Sequence, residues 1–295
     1  MYPSTTSMQD FINKILIITA TTLLTTTTAH CQEVIFTQEK SDTTKITEIL
    51  LNESSSSNPG NVTIIAENFI NTPYAAGTLE GAGAETLRVN LDSMDCTTFV
   101  ETVMALASTA NEHRYSWRDF IYNLRSIRYR NGEIDGYPSR LHYVSDWIVD
   151  NVARGNLQEI TADHPKVRYR VKSLDYMTTH RDRYPALADN EENYTRMKSI
   201  EAGFSNHRYP YIKASGLKDN QIARVARDGD IIVFTTSIKG LDATHMGIVK
   251  MVNGTPKLLH ASSKAGKVVV DELSISDYIH RNRPEGIRLL RLTPR

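Results

Sequence analysis

After Asp228-Gly229-Asp230 the chain passes through four short segments rich in β-branched and aliphatic residues, 231–235, 244–252, 257–261 and 267–270. The second and third are separated by Asn253-Gly254, a pair that accepts the left-handed φ values of a two-residue hairpin turn. Such a turn fixes the register. Val252 then faces Thr255, and counting back along both strands sets His260 opposite Gly247 and diagonal to His245, with Ser262 directly opposite His245. Both imidazoles project from one sheet face, and the missing side chain at Gly247 leaves room for one ring to reach the other. Pro256 weakens the ladder, and a three-residue turn would separate the rings.

Helical patterns precede the strands. Phe99, Val100, Val103, Met104 and Ala107 share one helical face, and Asp92, Ser93 and Asp95 offer cap-type side chains just before them. Cys96 therefore belongs in the first turn of an inward-packing helix. Residues 43–52, 62–69, 117–127 and 142–152 also read as helical, and Gly77, Gly81 and Gly83 punctuate an irregular stretch after Thr72-Pro73-Tyr74. Residues 163–219 show no clean period. Helices followed by an antiparallel sheet predict an α+β fold.

The balance of 34 Lys and Arg against 34 Asp and Glu gives no basic excess for a polyanion, and 40% apolar residues suffice for a core. At the N-terminus, Lys14 precedes an apolar run over 15–24 that leads to Ala29-His30-Cys31. The run is about half the roughly 20 residues that span a bilayer, so residues 1–31 predict an export signal cleaved after Cys31, with Met8 as an alternative start. His30 disfavours lipidation at Cys31. An exported chain then keeps Cys96 alone, without a disulfide partner where disulfides form readily.

A thiol at a helix N-terminus feels the positive end of the helix dipole, which lowers its pKa, and the same N–H groups suit an oxyanion. His245 on a strand supplies a base and His260 an orienting partner. Tyr74 places a phenol near the thiol or anchors packing, and Arg140, His142, Ser145, Asp146 and Trp147 form a helix-start cluster suited to a sugar or carboxylate, or to capping. Two other readings compete. One is a zinc amidase using His245, His260 and either His142 or Asp230, although no H-E-x-x-H or paired-cysteine spacing supports it. The other is a non-catalytic module gripping sugars with Tyr74 and Trp147.

Taken in order, Tyr74, Asp95-Cys96, Asp228-Gly229-Asp230-Ile231-Ile232-Val233-Phe234, Thr244-His245-Met246-Gly247-Ile248 and His260 resemble the motifs of the NlpC/P60 superfamily of cell-wall cysteine peptidases and amidases. Thr97 stands where that superfamily commonly has Ser, Ala75-Ala76 where a Gly is common, and 149 positions separate Cys96 from His245. The wording around Thr72-Pro73-Tyr74, Asp95-Cys96-Thr97-Thr98-Phe99, Leu141-His142-Tyr143 and Leu259-His260-Ala261 is similar to the N-acetylmuramoyl-L-alanine amidase-like branch. The resemblance implies a papain-like α+β fold in which residues 32–295 form a single catalytic domain with an insertion at about 110–225, Cys96, His245 and His260 as the catalytic set, and Tyr74 and Asp95 at the oxyanion or substrate. It also implies peptidoglycan fragments, including 1,6-anhydro muropeptides, as substrates of a monomeric periplasmic enzyme without metal or cofactor. Cleavage of the D-glutamyl to diamino-acid bond is the alternative.

Overall fold

A computed structural model of the chain describes residues 34–81 and 83–294, so the predicted export signal and Cys31 lie outside the described residues. The described residues make one compact unit. Its helices are α1 (Glu39–Ser54), α2 (Val62–Glu67), α3 (Cys96–Asn111), α4 (Trp117–Arg128), α5 (Val144–Ala153), α6 (Tyr176–Thr179), α7 (Pro185–Ala188), α8 (Glu191–Gly203), α9 (Asp219–Ile222) and α10 (Ile275–Asn282). The strands are β1 (Val34–Phe36), β2 (Leu87–Val89), β3 (Leu157–Glu159), β4 (Val167–Val171), β5 (Arg208–Lys213), β6 (Ile231–Thr235), β7 (Ala243–Val252), β8 (Thr255–Ser262), β9 (Lys267–Ser274) and β10 (Gly286–Leu292).

The main sheet runs β4-β5-β10-β6-β7-β8-β9, with β3 also paired to β10 and every pairing antiparallel. Period-two alternation gives it two apolar faces. Ile231, Val233, Met246, Ile248, Leu259 and Leu290 pack with α1, α2, α3 and α4. Ile232, Phe234, Val249, Leu258, Ile287 and Leu289 instead meet α9 and α10. The chain is thus α+β, its sheet covered by helices on both sides.

The hairpin follows the predicted register. Asn253 and Gly254 both take positive φ (49° and 78°), as a type I′ turn requires, and Ile248 pairs with Leu259 through to Val252 with Thr255, so Pro256 is accommodated opposite Met251. That register brings Gly247 beside His260: a Cβ built on Gly247 would stand 2.9 Å from His260 Cβ and 3.0 Å from the Leu259 carbonyl oxygen.

The expected insertion is woven into the unit. Phe120, Leu124 and Ile127 of α4 join the core under the sheet, and β3, β4 and β5 widen it. Residues 163–219 lack a period because β4 is an edge strand with Arg168, Tyr169 and Val171 exposed, and α8 buries only Met197 and Glu201. Gly247→Ala should cost about 1–3 kcal/mol of stability through overpacking and displace His260. Urea denaturation and histidine ring NMR shifts check this; an unchanged denaturation midpoint with unmoved ring signals would contradict the close approach.

Candidate active site

Cys96 is the first residue of α3 because Asp95 stops the chain there as a cap. The Asp95 carboxylate accepts the N–H of Thr97 (3.1 Å) and of Thr98 (2.8 Å), and the Thr98 hydroxyl accepts the Asp95 N–H (2.9 Å). Asp95, expected at substrate, is therefore committed to the helix. Tyr74 is drawn to the same place by backbone: its N–H donates to the Gly266 carbonyl (2.9 Å), and Met94 and Pro73 join through the Met94 N–H (2.9 Å). The Tyr74 phenol, raised above its ordinary pKa by burial, also senses the charges of Cys96 and Asp95.

His245 and His260 meet across β7 and β8. His245 Nε2 lies 2.6 Å from His260 Nδ1, with the rings nearly perpendicular and 4.9 Å apart. Tyr278 of α10 completes an aromatic cage, 6.2 Å from the His245 ring, 5.6 Å from His260 and 5.1 Å from Phe234. Its hydroxyl, pushed up to about 12 mainly by burial, also feels Asp271 and Cys96, which ties the histidine pair to the thiol's surroundings. Beside the pair opens a cavity of about 320 Å³ lined by His245, His260, Asp271 and Tyr278, with Lys264 and Arg281 among its walls.

The electrostatics correct one expectation. Burial pushes the Cys96 thiol up to about 11, the Asp95 charge adds to this, and the Met246 N–H, Thr97 and the residue's own N–H only partly offset it. Burial, with the neighbouring His260, takes the His245 imidazole down to about 3, and burial takes His260 to about 4. At neutral pH the resting site therefore holds a thiol and two neutral rings, where the helix-dipole argument expected a thiolate. Thiol and ring are not hydrogen-bonded to each other among the described residues; what connects them is Met246, whose N–H acts on the sulfur and which follows His245 directly.

The side chains of the helix-start cluster find partners within the protein. Arg140 is buried between Glu80 (2.7 Å) and Glu85 (3.5 Å). His142, driven down to about 3 by burial, uses Nε2 to donate to the Tyr137 carbonyl at 2.9 Å. Ser145 receives a hydrogen bond from Arg288 (3.0 Å) and gives its N–H to Asp242, and Asp146 pairs with Arg130 (2.8 Å). Trp147, 2% exposed, is core. These side chains brace α5 against the strands, because their partners arrive from distant parts of the chain. The zinc set does not converge either: Asp230 is bound to Arg291 (2.7 Å) and His142 to Tyr137. Tyr278, Asp271, Lys264 and Arg281 were not singled out by the sequence; only their spacing from the hairpin histidines could have pointed to them.

A raised thiol pKa has a kinetic signature. The thiolate alone is alkylated, so iodoacetamide labelling of Cys96 should be slow at pH 7 and climb about tenfold per pH unit up to pH 10; rapid labelling that plateaus below pH 7 would contradict a neutral resting thiol. Asp95→Ala should cost about 1 kcal/mol of stability as a lost cap and accelerate labelling at fixed pH, read in the same assay.

A family model described as N-acetylmuramoyl-L-alanine amidase-like matches residues 64–287. No curated protein matches the sequence. Among solved structures, an N-acetylmuramoyl-L-alanine amidase from Bacteroides uniformis ATCC 8492 is 39% identical with a TM-score of 0.74, over 79% of this chain and 97% of that one. A Bacteroides fragilis protein provisionally named a xylanase is 41% identical, with a TM-score of 0.72 over 78% of this chain and 100% of that one. A Legionella pneumophila protein shares the fold at 24% identity, with a TM-score of 0.68 over 87% of this chain and 96% of that one. With the family model covering most of its length, this chain belongs to the N-acetylmuramoyl-L-alanine amidase-like family.

Proposed function

We propose that the protein is a cysteine amidase that cuts the bond between N-acetylmuramic acid and L-alanine in peptidoglycan fragments, 1,6-anhydro muropeptides among them. The observation that carries this reading is the 2.6 Å contact of His245 with His260 on a strand whose next residue acts on the Cys96 sulfur. In the reaction, Cys96 attacks the muramoyl carbonyl while its proton passes to His245. The carbonyl oxygen, now an oxyanion, meets the Cys96 N–H and the Tyr74 phenol. His245 then gives that proton to the departing alanine nitrogen, and water releases the muramoyl group from sulfur.

Because His245 protonates the leaving amine, the stem peptide departs on the histidine side, where the cavity lies. Lys264 and Arg281 in its wall suit the carboxylates that a stem peptide carries. A glycosidase, by contrast, works with two carboxyl groups astride the sugar bond, and the cavity is lined by one, Asp271, among the described residues. The papain-like NlpC/P60 relationship, export through residues 1–31 to the periplasm, and action as a monomer belong to the same proposal.

Digestion of defined anhydro-muropeptides followed by mass spectrometry tests it. The expected products are an anhydro-muramic acid fragment and a free peptide beginning with L-alanine; release of a muramoyl-L-alanyl-D-glutamate fragment would make the enzyme an endopeptidase instead. Cys96→Ala should lower turnover about a thousandfold or more, and chelator should leave the wild type active. Lys264→Ala combined with Arg281→Ala should raise KM about fivefold to a hundredfold, about 1–3 kcal/mol of lost charge-assisted binding, with kcat nearly unchanged; an unaltered KM would remove the peptide from this cavity.

A further inference from the structure

The histidine pair ends in a buried nitrogen that needs a partner. His260 Nδ1 is taken by His245, while His260 Nε2 is buried and makes no hydrogen bond. Facing it at 3.6 Å is Asp271 Oδ2, on the neighbouring strand β9. The other carboxylate oxygen of Asp271 accepts the Leu273 N–H at 2.9 Å, which pins the group with Oδ2 toward the ring.

We propose that Asp271 is a positioning residue that selects the tautomer of His260 and thereby keeps His245 Nδ1 free to receive the Cys96 proton. This deepens the cysteine-amidase reading and rests on His245 as its base. With Nε2 of His245 engaged by His260, Nδ1 is the nitrogen left for the thiol, and Nδ1 accepts a proton only if Nε2 already carries one. The Nε2–H must then donate to an unprotonated His260 Nδ1, so neutral His260 carries its hydrogen on Nε2, aimed at Asp271.

The opposite His260 tautomer would set two N–H groups head to head at the 2.6 Å contact, forcing His245 to move its proton to Nδ1 and lose its basic nitrogen. A neutral neighbour gives His260 no reason to choose; a carboxylate does. The 3.6 Å gap exceeds a hydrogen bond by roughly 0.5 Å, so the attraction is electrostatic at rest and tightens as His245 becomes cationic. In acylation one proton moves, from sulfur to His245 Nδ1 to the leaving amine. The S–C bond forms, the C–N bond breaks, and Asp271 and His260 keep their own protonation throughout.

The pinned carboxylate makes the isosteric substitution informative. In Asp271→Asn the single carbonyl oxygen is claimed by the Leu273 N–H, so the amide NH₂ faces His260 and favours the wrong tautomer. Asp271→Asn and Asp271→Ala, assayed on muropeptides alongside nitrogen-15 NMR of labelled histidines, separate tautomer control from space filling. Asp271→Asn should switch His260 from Nε2–H to Nδ1–H and lower kcat about tenfold or more with KM within about twofold, and Asp271→Ala should do no worse. Wild-type His260 in the Nδ1–H form, or Asp271→Asn with unchanged tautomer and kcat within about twofold, would overturn the proposal. A wild-type protein that cuts no muropeptide would refute the amidase reading, while the tautomer signals would still decide the role of Asp271.

Discussion

Two imidazoles on adjacent strands touch at 2.6 Å, and most of what surrounds them serves that contact. It depends on the Asn253-Gly254 turn for its register, on Gly247 for the close approach of His260, and on Phe234 and Tyr278 for the aromatic walls beside the rings. The sheet holds this arrangement rigidly because β7 and β8 are interior strands with apolar packing on both faces. A catalytic base on such an element keeps its orientation without spending loop entropy.

Burial sets the chemistry of the resting site. A helix N-terminus stabilises a nearby anion by about 0.3–1 kcal/mol, and up to about 2 when partly buried, whereas removing a charge from water costs several kcal/mol. Around Cys96 the second effect wins, aided by the Asp95 cap, whose negative charge cancels much of the dipole it completes. The same burial keeps His245 and His260 neutral, which a base and its orienting partner require. In the proposed mechanism thiolate forms only as the carbonyl arrives, and a protonated sulfur is less open to oxidation and alkylation than a thiolate.

Local rules were enough to read the hairpin. Alternation and Asn-Gly turn chemistry located β6 and the facing of His260 on Gly247, and the cap residues located Cys96 at the head of its helix. The central strand β10 escaped notice because Arg288 and Arg291 interrupt its apolar run; their charges are answered by Glu159 and Asp230, far away in the chain. The partners of the cluster from Arg140 to Trp147, Glu80, Glu85, Asp242 and Arg288, likewise arrive from far along the chain, out of reach of a local reading. Asp271 and Tyr278 owe their importance to the strand and helix that carry them past the histidines, which no local pattern announces. The upward push on the thiol was not legible because burial is a property of the fold as a whole.

Intact-protein mass spectrometry of the enzyme quenched in acid during turnover probes the nucleophile directly. A covalent adduct on the peptide containing Cys96, with the mass of an N-acetylmuramoyl acyl group and no amino acids attached, is the predicted result. Turnover without any adduct at Cys96, or an adduct that carries L-alanine and D-glutamate, would contradict the account.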